Sequence, residues 1–243
     1  FLQHNFFKKQ KTNDMQRFNT FNMIHKALRA MLYDTALTMQ QTYFADTDEA
    51  AIALEKMNHV IHAFEQHGMH EDTILMPVIS KYDQSMIASF EDEHKEDVSL
   101  GNKLMHLHKI YNATVSPEER ILAGSVITRA FREYMVFNLE HMQREEVELN
   151  QLLWEHYSDE ELLEINARIV ATIDPAEMAA TAPWFFRGIN KDEAIKWLIS
   201  VKENAPEFAF ESLFELTKTN VPSRFREEVR NTVLAHKVPV PVF

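Results

Sequence analysis

The chain has 243 residues, with 37 acidic residues against 25 Lys and Arg, a net charge of −12, and no cysteine. That acidic balance excludes the basic footprint a nucleic-acid binder needs. The absence of thiols excludes disulfides, Fe–S clusters, thiolate metal sites and thiol catalysis.

With 45% hydrophobic residues the chain can bury a core, and it holds no apolar run of the roughly 18 residues that crossing a membrane takes. Only 4 glycines, recurring 3.6-residue patterns and no strand-like alternation point to an all-α fold. A cytoplasmic location suits such a chain. The apolar pairs Phe1-Leu2 and Phe6-Phe7, ahead of basic residues 8–11, read as too short for a secretory signal.

Four long helices are expected in chain order. The first covers about residues 14–41, the second follows the Thr47-Asp48 cap to about residue 80, and the third covers about 84–111. The fourth starts at Ser116-Pro117-Glu118-Glu119, a Ser cap followed by Pro and then Glu at the third helical position, and runs to about 157. Every apolar stripe is interrupted by a histidine. On the first it is Phe18, Phe21, His25, Leu28 and Leu32; on the second Met57, Val60, Phe64, His67, Glu71, Ile74 and Val78. The third gives Ile87, Phe90, His94, Asp97 or Val98, and Gly101. The fourth gives Ile127, Phe131, Tyr134, Asn138, His141, Glu145, Leu149 and Leu152. Helices of this kind joined by short turns form an up-down-up-down four-helix bundle, expected over residues 1–157.

Residues 158–243 hold six of the eight prolines and read as additional short C-terminal helices packed on the bundle. A Ser158-capped helix to about 172, a turn at Asp174-Pro175, the Pro183-Trp184-Phe185-Phe186 segment and helices over about 191–202 and 206–219 are expected, with an extended tail over 238–243. This extension is also a candidate surface for a protein partner.

The chemistry lies in a repeated pattern. His67 and Glu71, and again His141 and Glu145, stand four residues apart, so each pair shares one helix face a turn apart and can grip one ion. With His25 and His94 on neighbouring helices, the candidate metal ligands are His25, His67, Glu71, His94, His141 and Glu145. Imidazoles and carboxylates without thiolates suit Fe, and equally Mn or Zn. If both carboxylates bridge, each of two ions receives two histidines and two carboxylate oxygens, leaving positions for water, a bridging oxide or hydroxide, O2 or peroxide. Six desolvated polar groups on facing seams would otherwise be costly.

Register tests the arrangement. His25 and His67 are centred on Asp46, and the 67/71 pair and His94 near Tyr82, both at expected turns. His94 and the 141/145 pair are out of step by about 13 Å at a rise of about 1.5 Å per residue. A separate short turn over 117–123, with the helix proper starting near Gly124, would remove the mismatch. Tyr134 and Asn138 are placed to hydrogen-bond ligands or bound oxygen or to serve as ordinary core polar residues, Gly68 and Gly101 to leave room for packing or a small molecule, and His70, one turn from His67, to face solvent or else to support a ligand.

At these residues the chain resembles the hemerythrin-like, HHE cation-binding family. The likeness rests on His25-Lys26-Ala27-Leu28-Arg29, on His67 with Glu71-Asp72 and Leu75-Met76-Pro77, on Glu93-His94, and on His141 with Glu145-Glu146. It is most like the hemerythrin repeats of plant iron-sensing ubiquitin ligases of the BRUTUS type, and it continues softly through Pro183-Trp184, Asp192-Glu193-Ala194 and Ala205-Pro206. The resemblance implies a non-haem di-iron centre that binds or senses O2 or iron. The alternative is a di-iron enzyme that reduces peroxide or O2, or oxidises Fe(II), in a detoxifying role. Two departures bear on it. O2-carrying hemerythrins have a second histidine four residues after the one on the third helix, where this chain has Val98, with Asp97 as a substitute ligand. The ligases' cysteine-rich zinc modules have no counterpart in a cysteine-free chain, so ligase activity is not implied.

Overall fold

The computed structural model of the chain describes residues 17–237. Helix α1 spans Asn22–Gln41. Helix α2 (Thr47–His70) runs on without a break through a π-helical turn (Glu71–Leu75) and a last α turn (Met76–Ile79). Helix α3 is Gln84–Ala113. Helix α4 (Pro117–Arg144) likewise continues through a π turn (Glu145–Leu149) into Asn150–His156. Five shorter helices follow: α5 (Asp159–Val170), α6 (Pro175–Gly188), α7 (Lys191–Asn204), α8 (Glu207–Asn220) and α9 (Ser223–Ala235). No strand occurs among the described residues, and none of their helices is long and apolar enough to cross a membrane.

The first four helices form the expected bundle, with α1 packed on α2 and α4, and α3 on α2 and α4. Its interior is layered. An apolar core containing Leu28, Phe64, Leu104 and Tyr134 fills one end, and another containing Phe21, Leu75, Phe90 and Leu149 fills the other. The histidines and glutamates of the sequence pattern fall between these two layers on all four helices.

Several boundaries differ from expectation for identifiable reasons. Helix α1 starts at Asn22, because the Asn19 side chain accepts hydrogen bonds from the Phe21 and Asn22 N–H groups and closes a turn just before it. Residues 14–16 of the expected start, residues 1–11 and the expected tail over 238–243 lie outside the described residues. The proposed separate turn over 117–123 does not form, since α4 is unbroken from Pro117. The layers coincide instead because Thr114 (ψ 141°) and Ser116 (ψ 147°) are extended. At about 3.3 Å per extended residue, the three-residue connection 114–116 can carry the chain up to about 10 Å past the end of α3 before α4 begins. Contacts along the α3–α4 pair then keep step: Lys103 with Glu133, Asp97 with Asn138, Glu93 with His141.

The π turns shift the downstream faces by one residue. Leu75 and Ile79 are buried where Val78 was expected, and Leu153 where Leu152 was expected. Helix α9 was not anticipated; Phe225, Val229 and Val233 give it an apolar face toward α7 and α8.

The C-terminal helices sit on α1. Trp184 packs against the first bundle core, Met23 of α1 packs into the C-terminal core, and Glu193 accepts hydrogen bonds from Asn22 and Lys26. At Gly188 a Cβ would stand 2.2 Å from the Lys26 carbonyl oxygen, a backbone atom that cannot swing away. At Gly68 a Cβ would find only the His94 ring, at 3.5 Å. Gly188→Ala is therefore expected to cost about 2 kcal/mol through overpacking, whereas Gly68→Ala gains up to about 1 kcal/mol of helix propensity. Thermal unfolding of the two variants should move in opposite directions from the parent protein.

Candidate metal centre

Each histidine is delivered by a helix whose flanking residues belong to the two apolar layers, so little of each side chain meets water, and His67 is the least buried of them. His25 and Glu145 are fully buried, while Glu71, His94 and His141 are 3%, 8% and 5% exposed. Two donor groups result. His25, His67, Glu71 and Glu145 form one, and Glu71, His94, His141 and Glu145 form the other. The two carboxylates are common to both.

The distances show how they are shared. Glu71 Oε1 lies 3.2 Å from His67 Nε2, and Oε2 lies 3.3 Å from His94 Nε2. Glu145 Oε2 lies 3.3 Å from His25 Nε2, and Oε1 lies 3.2 Å from His141 Nε2. Every carboxylate oxygen thus faces a different imidazole, and all four histidines turn Nε2 inward. The rings of three histidines are held from behind. His25 Nδ1 meets Glu146 (3.0 Å), His94 Nδ1 meets Asp72 (2.7 Å), and His141 Nδ1 meets Glu93 (2.8 Å). A carboxylate behind Nδ1 keeps the proton there and points the Nε2 lone pair into the site, as metal-binding histidines require. Arg29 donates to Glu146, and Arg144 donates to Glu93, which steadies those carboxylates in turn.

Both oxygens of Glu71, both oxygens of Glu145 and His94 Nε2 are buried without a hydrogen-bond partner. Buried acceptors of this kind are rarely left alone in a folded protein. A cation satisfies all of them at once, and the cluster fits a metal site.

Protons compete for the same lone pairs. Burial disfavours the charged form of His94, but the facing carboxylates of Asp72, Glu145 and Glu71 outweigh it and push the imidazole up to about 12. Burial likewise opposes charge on His25 and His141, yet Glu145 raises both, helped at His25 by Glu146. His67 is held well below its ordinary value by burial and by neighbouring His25. Burial and the Glu145 carboxylate push Glu71 up to about 7, whereas imidazoles overcome burial at Glu145 and hold it well below the usual carboxylate range.

Other sequence expectations sort themselves around this cluster. Asp97 is buried and Val98 exposed, but Asp97 belongs to neither donor group; its carboxylate accepts from Asn138 Nδ2 at 2.7 Å. Tyr134 and Asn138 are buried beside it, and burial together with Asp97 pushes the Tyr134 phenol well above its ordinary value. His70 does not face solvent: it is 6% exposed, because the C-terminal helices cover its side of α2. Asp72, Glu93 and Glu146 were not given roles from sequence, although each directly neighbours a proposed ligand, which is the signal that could have found them. Val98 and Asp97 border a groove of about 600 Å³ between α2 and α3 that reaches His94 and His141.

An antiparallel helical bundle with a histidine–carboxylate cluster between its apolar layers defines a class of metal-binding protein. Within that class, the chain belongs to the hemerythrin HHE cation binding domain family, which matches residues 17–153. It is also similar to a zinc finger protein described as BRUTUS-like from Arabidopsis thaliana, with 20% identity over 189 residues. That match takes in 76% of this chain but only 15% of the relative, so the chain spans a small part of the protein it resembles. No solved structure matches the chain.

Two outcomes follow from the geometry. Asp72→Asn should weaken metal binding about 10- to 100-fold by loosening the His94 ring, with helicity by circular dichroism unchanged. Metal loading in weak buffer should release protons, because His94 holds its proton at neutral pH and its neighbours raise His25 and His141, and affinity should fall as pH drops through the Glu71 value of about 7. Affinity independent of pH would contradict this assignment.

Proposed function

We propose that the cluster holds two iron ions, one between His25 and His67 and one between His94 and His141, with Glu71 and Glu145 bridging, and that the protein binds or senses O2 or iron through them. The observation that carries this reading is the division of the carboxylates, each presenting one oxygen to either histidine pair. The thiol-free donor set supports iron and also accommodates Mn or Zn. A pair of iron ions held by these residues would supply redox chemistry toward O2 or peroxide. The chain's own part is to aim four imidazoles through the carboxylates behind them, to keep bulk water out with the two apolar layers, and to neutralise the ions with buried negative charge.

A second reading, a detoxifying enzyme that reduces peroxide or O2 or oxidises Fe(II), is favoured by the groove at Val98. It borders His94 and His141 and gives small molecules a way to that half of the cluster. Turnover of peroxide with a reductant separates it from the binding reading, which expects a stable spectrum without turnover.

Metal content and the visible spectrum of protein purified in air test the proposal. Two irons per chain, with oxo-bridged absorption that bleaches on reduction, are expected. Zinc alone without those bands would overturn the iron assignment. His67→Ala and Glu145→Ala should each lose metal, and full metal content with full stability in both would remove the shared-carboxylate site altogether.

A further inference from the structure

On the face opposite the groove, α1 and α2 do not close against the C-terminal helices. A cavity of about 260 Å³ remains between them. Its body is apolar, walled by Ile24 and Leu28 of α1, Ile169 of α5, Met178 and Phe185 of α6, and Trp197 of α7. Polar groups line it as well, among them Thr20, His70 and Thr181, and His67 and Glu71 of the cluster border it. The Thr20 hydroxyl is buried with no hydrogen-bond partner. His70, 6% exposed, lines the same space. An apolar cavity of about 150 Å³ stays dry and takes up benzene, so this one has room for a longer molecule. Apolar walls with a few convergent polar groups are the usual composition of a small-molecule site. A donor or acceptor left alone in such a place costs free energy until something pairs with it.

We infer that this cavity binds a small, uncharged, mainly apolar organic molecule with one hydroxyl or carbonyl head, the head meeting Thr20 and His70 and the chain lying along Ile24, Met178 and Trp197. The carboxylates of Glu71 and Glu177 border the cavity and disfavour an anionic head. Five helices contribute to the walls, so the bundle alone does not form the site; the C-terminal helices complete it. His67 and Glu71 of the cluster border the cavity, so binding is compared at fixed metal content.

The probe is 1-heptanol, titrated into the full chain and followed by calorimetry and by tryptophan emission, since Trp197 lies in the wall. Saturable binding is expected, with heptanoate at least about tenfold weaker, a difference of roughly 1.4 kcal/mol. Thr181→Leu, on the α6 wall away from the histidine cluster, should fill the space and abolish binding. Ala63→Leu fills it from α2 and gives a second, independent block. Thr20→Val should weaken heptanol while leaving toluene binding unchanged. Metal content measured on each variant separates this site from the cluster: loss of heptanol binding with metal retained is the expected pattern. No saturable heptanol binding up to its solubility limit, or equal binding to both filled variants, would overturn the inference. Heptanoate binding as tightly as heptanol would overturn the uncharged head.

Discussion

The bundle is organised around the difficulty of keeping charge out of water. Four imidazoles and two carboxylates lie between two apolar layers, and no backbone group or solvent reaches the inner atoms of Glu71 and Glu145. Transferring an isolated carboxylate into such a place is prohibitive, and the usual escape is neutralisation by a proton or a counter-charge. The outer carboxylates Asp72, Glu93 and Glu146 add negative charge close by, which makes the centre a trap for cations rather than a neutral polar core. Helix lengths, loop geometry and the extended crossing at 114–116 all serve to bring these groups into one layer.

The parts of this arrangement that were legible in sequence are those that depend on helix periodicity. His67 with Glu71 and His141 with Glu145 share a face at 3.6 residues per turn whatever surrounds them, and interrupted apolar stripes marked the other two helices. Periodicity does not reveal a change in its own pitch. The π turns at Glu71–Leu75 and Glu145–Leu149 moved the buried face to Leu75, Ile79 and Leu153. Pro77 does not explain them, since α4 has Gln151 at the matching position and bends its pitch at the same point. Tertiary contacts decided the rest. His70 reads as exposed on an isolated α2 and becomes buried only because α5 and α6 cover it. The shared layer at α3 and α4 depended on two extended loop residues that carry little signal of their own.

The π turns have a shared setting. Both begin at a glutamate that offers its two oxygens to different imidazoles, and both are followed by a leucine four residues later that enters the lower apolar layer. Widened turns of this kind are uncommon and often accompany functional sites. Here they let the helix present a carboxylate to the cluster and still return its following residues to the core.

Each outer carboxylate is the sequence neighbour of an inner side chain on its own helix and supports a histidine of another. Asp72 follows Glu71 yet supports His94 of α3; Glu146 follows Glu145 yet supports His25 of α1; Glu93 precedes His94 yet supports His141 of α4. Rotating or sliding α2, α3 or α4 would therefore displace its own inner side chain and slacken a histidine of another helix in the same movement, whereas α1 contributes His25 alone. The four rods are interlocked like the pieces of a burr puzzle. The centre should assemble or come apart as a whole, and partial occupancy across a population would reflect a mixture of complete and empty molecules rather than many half-built ones.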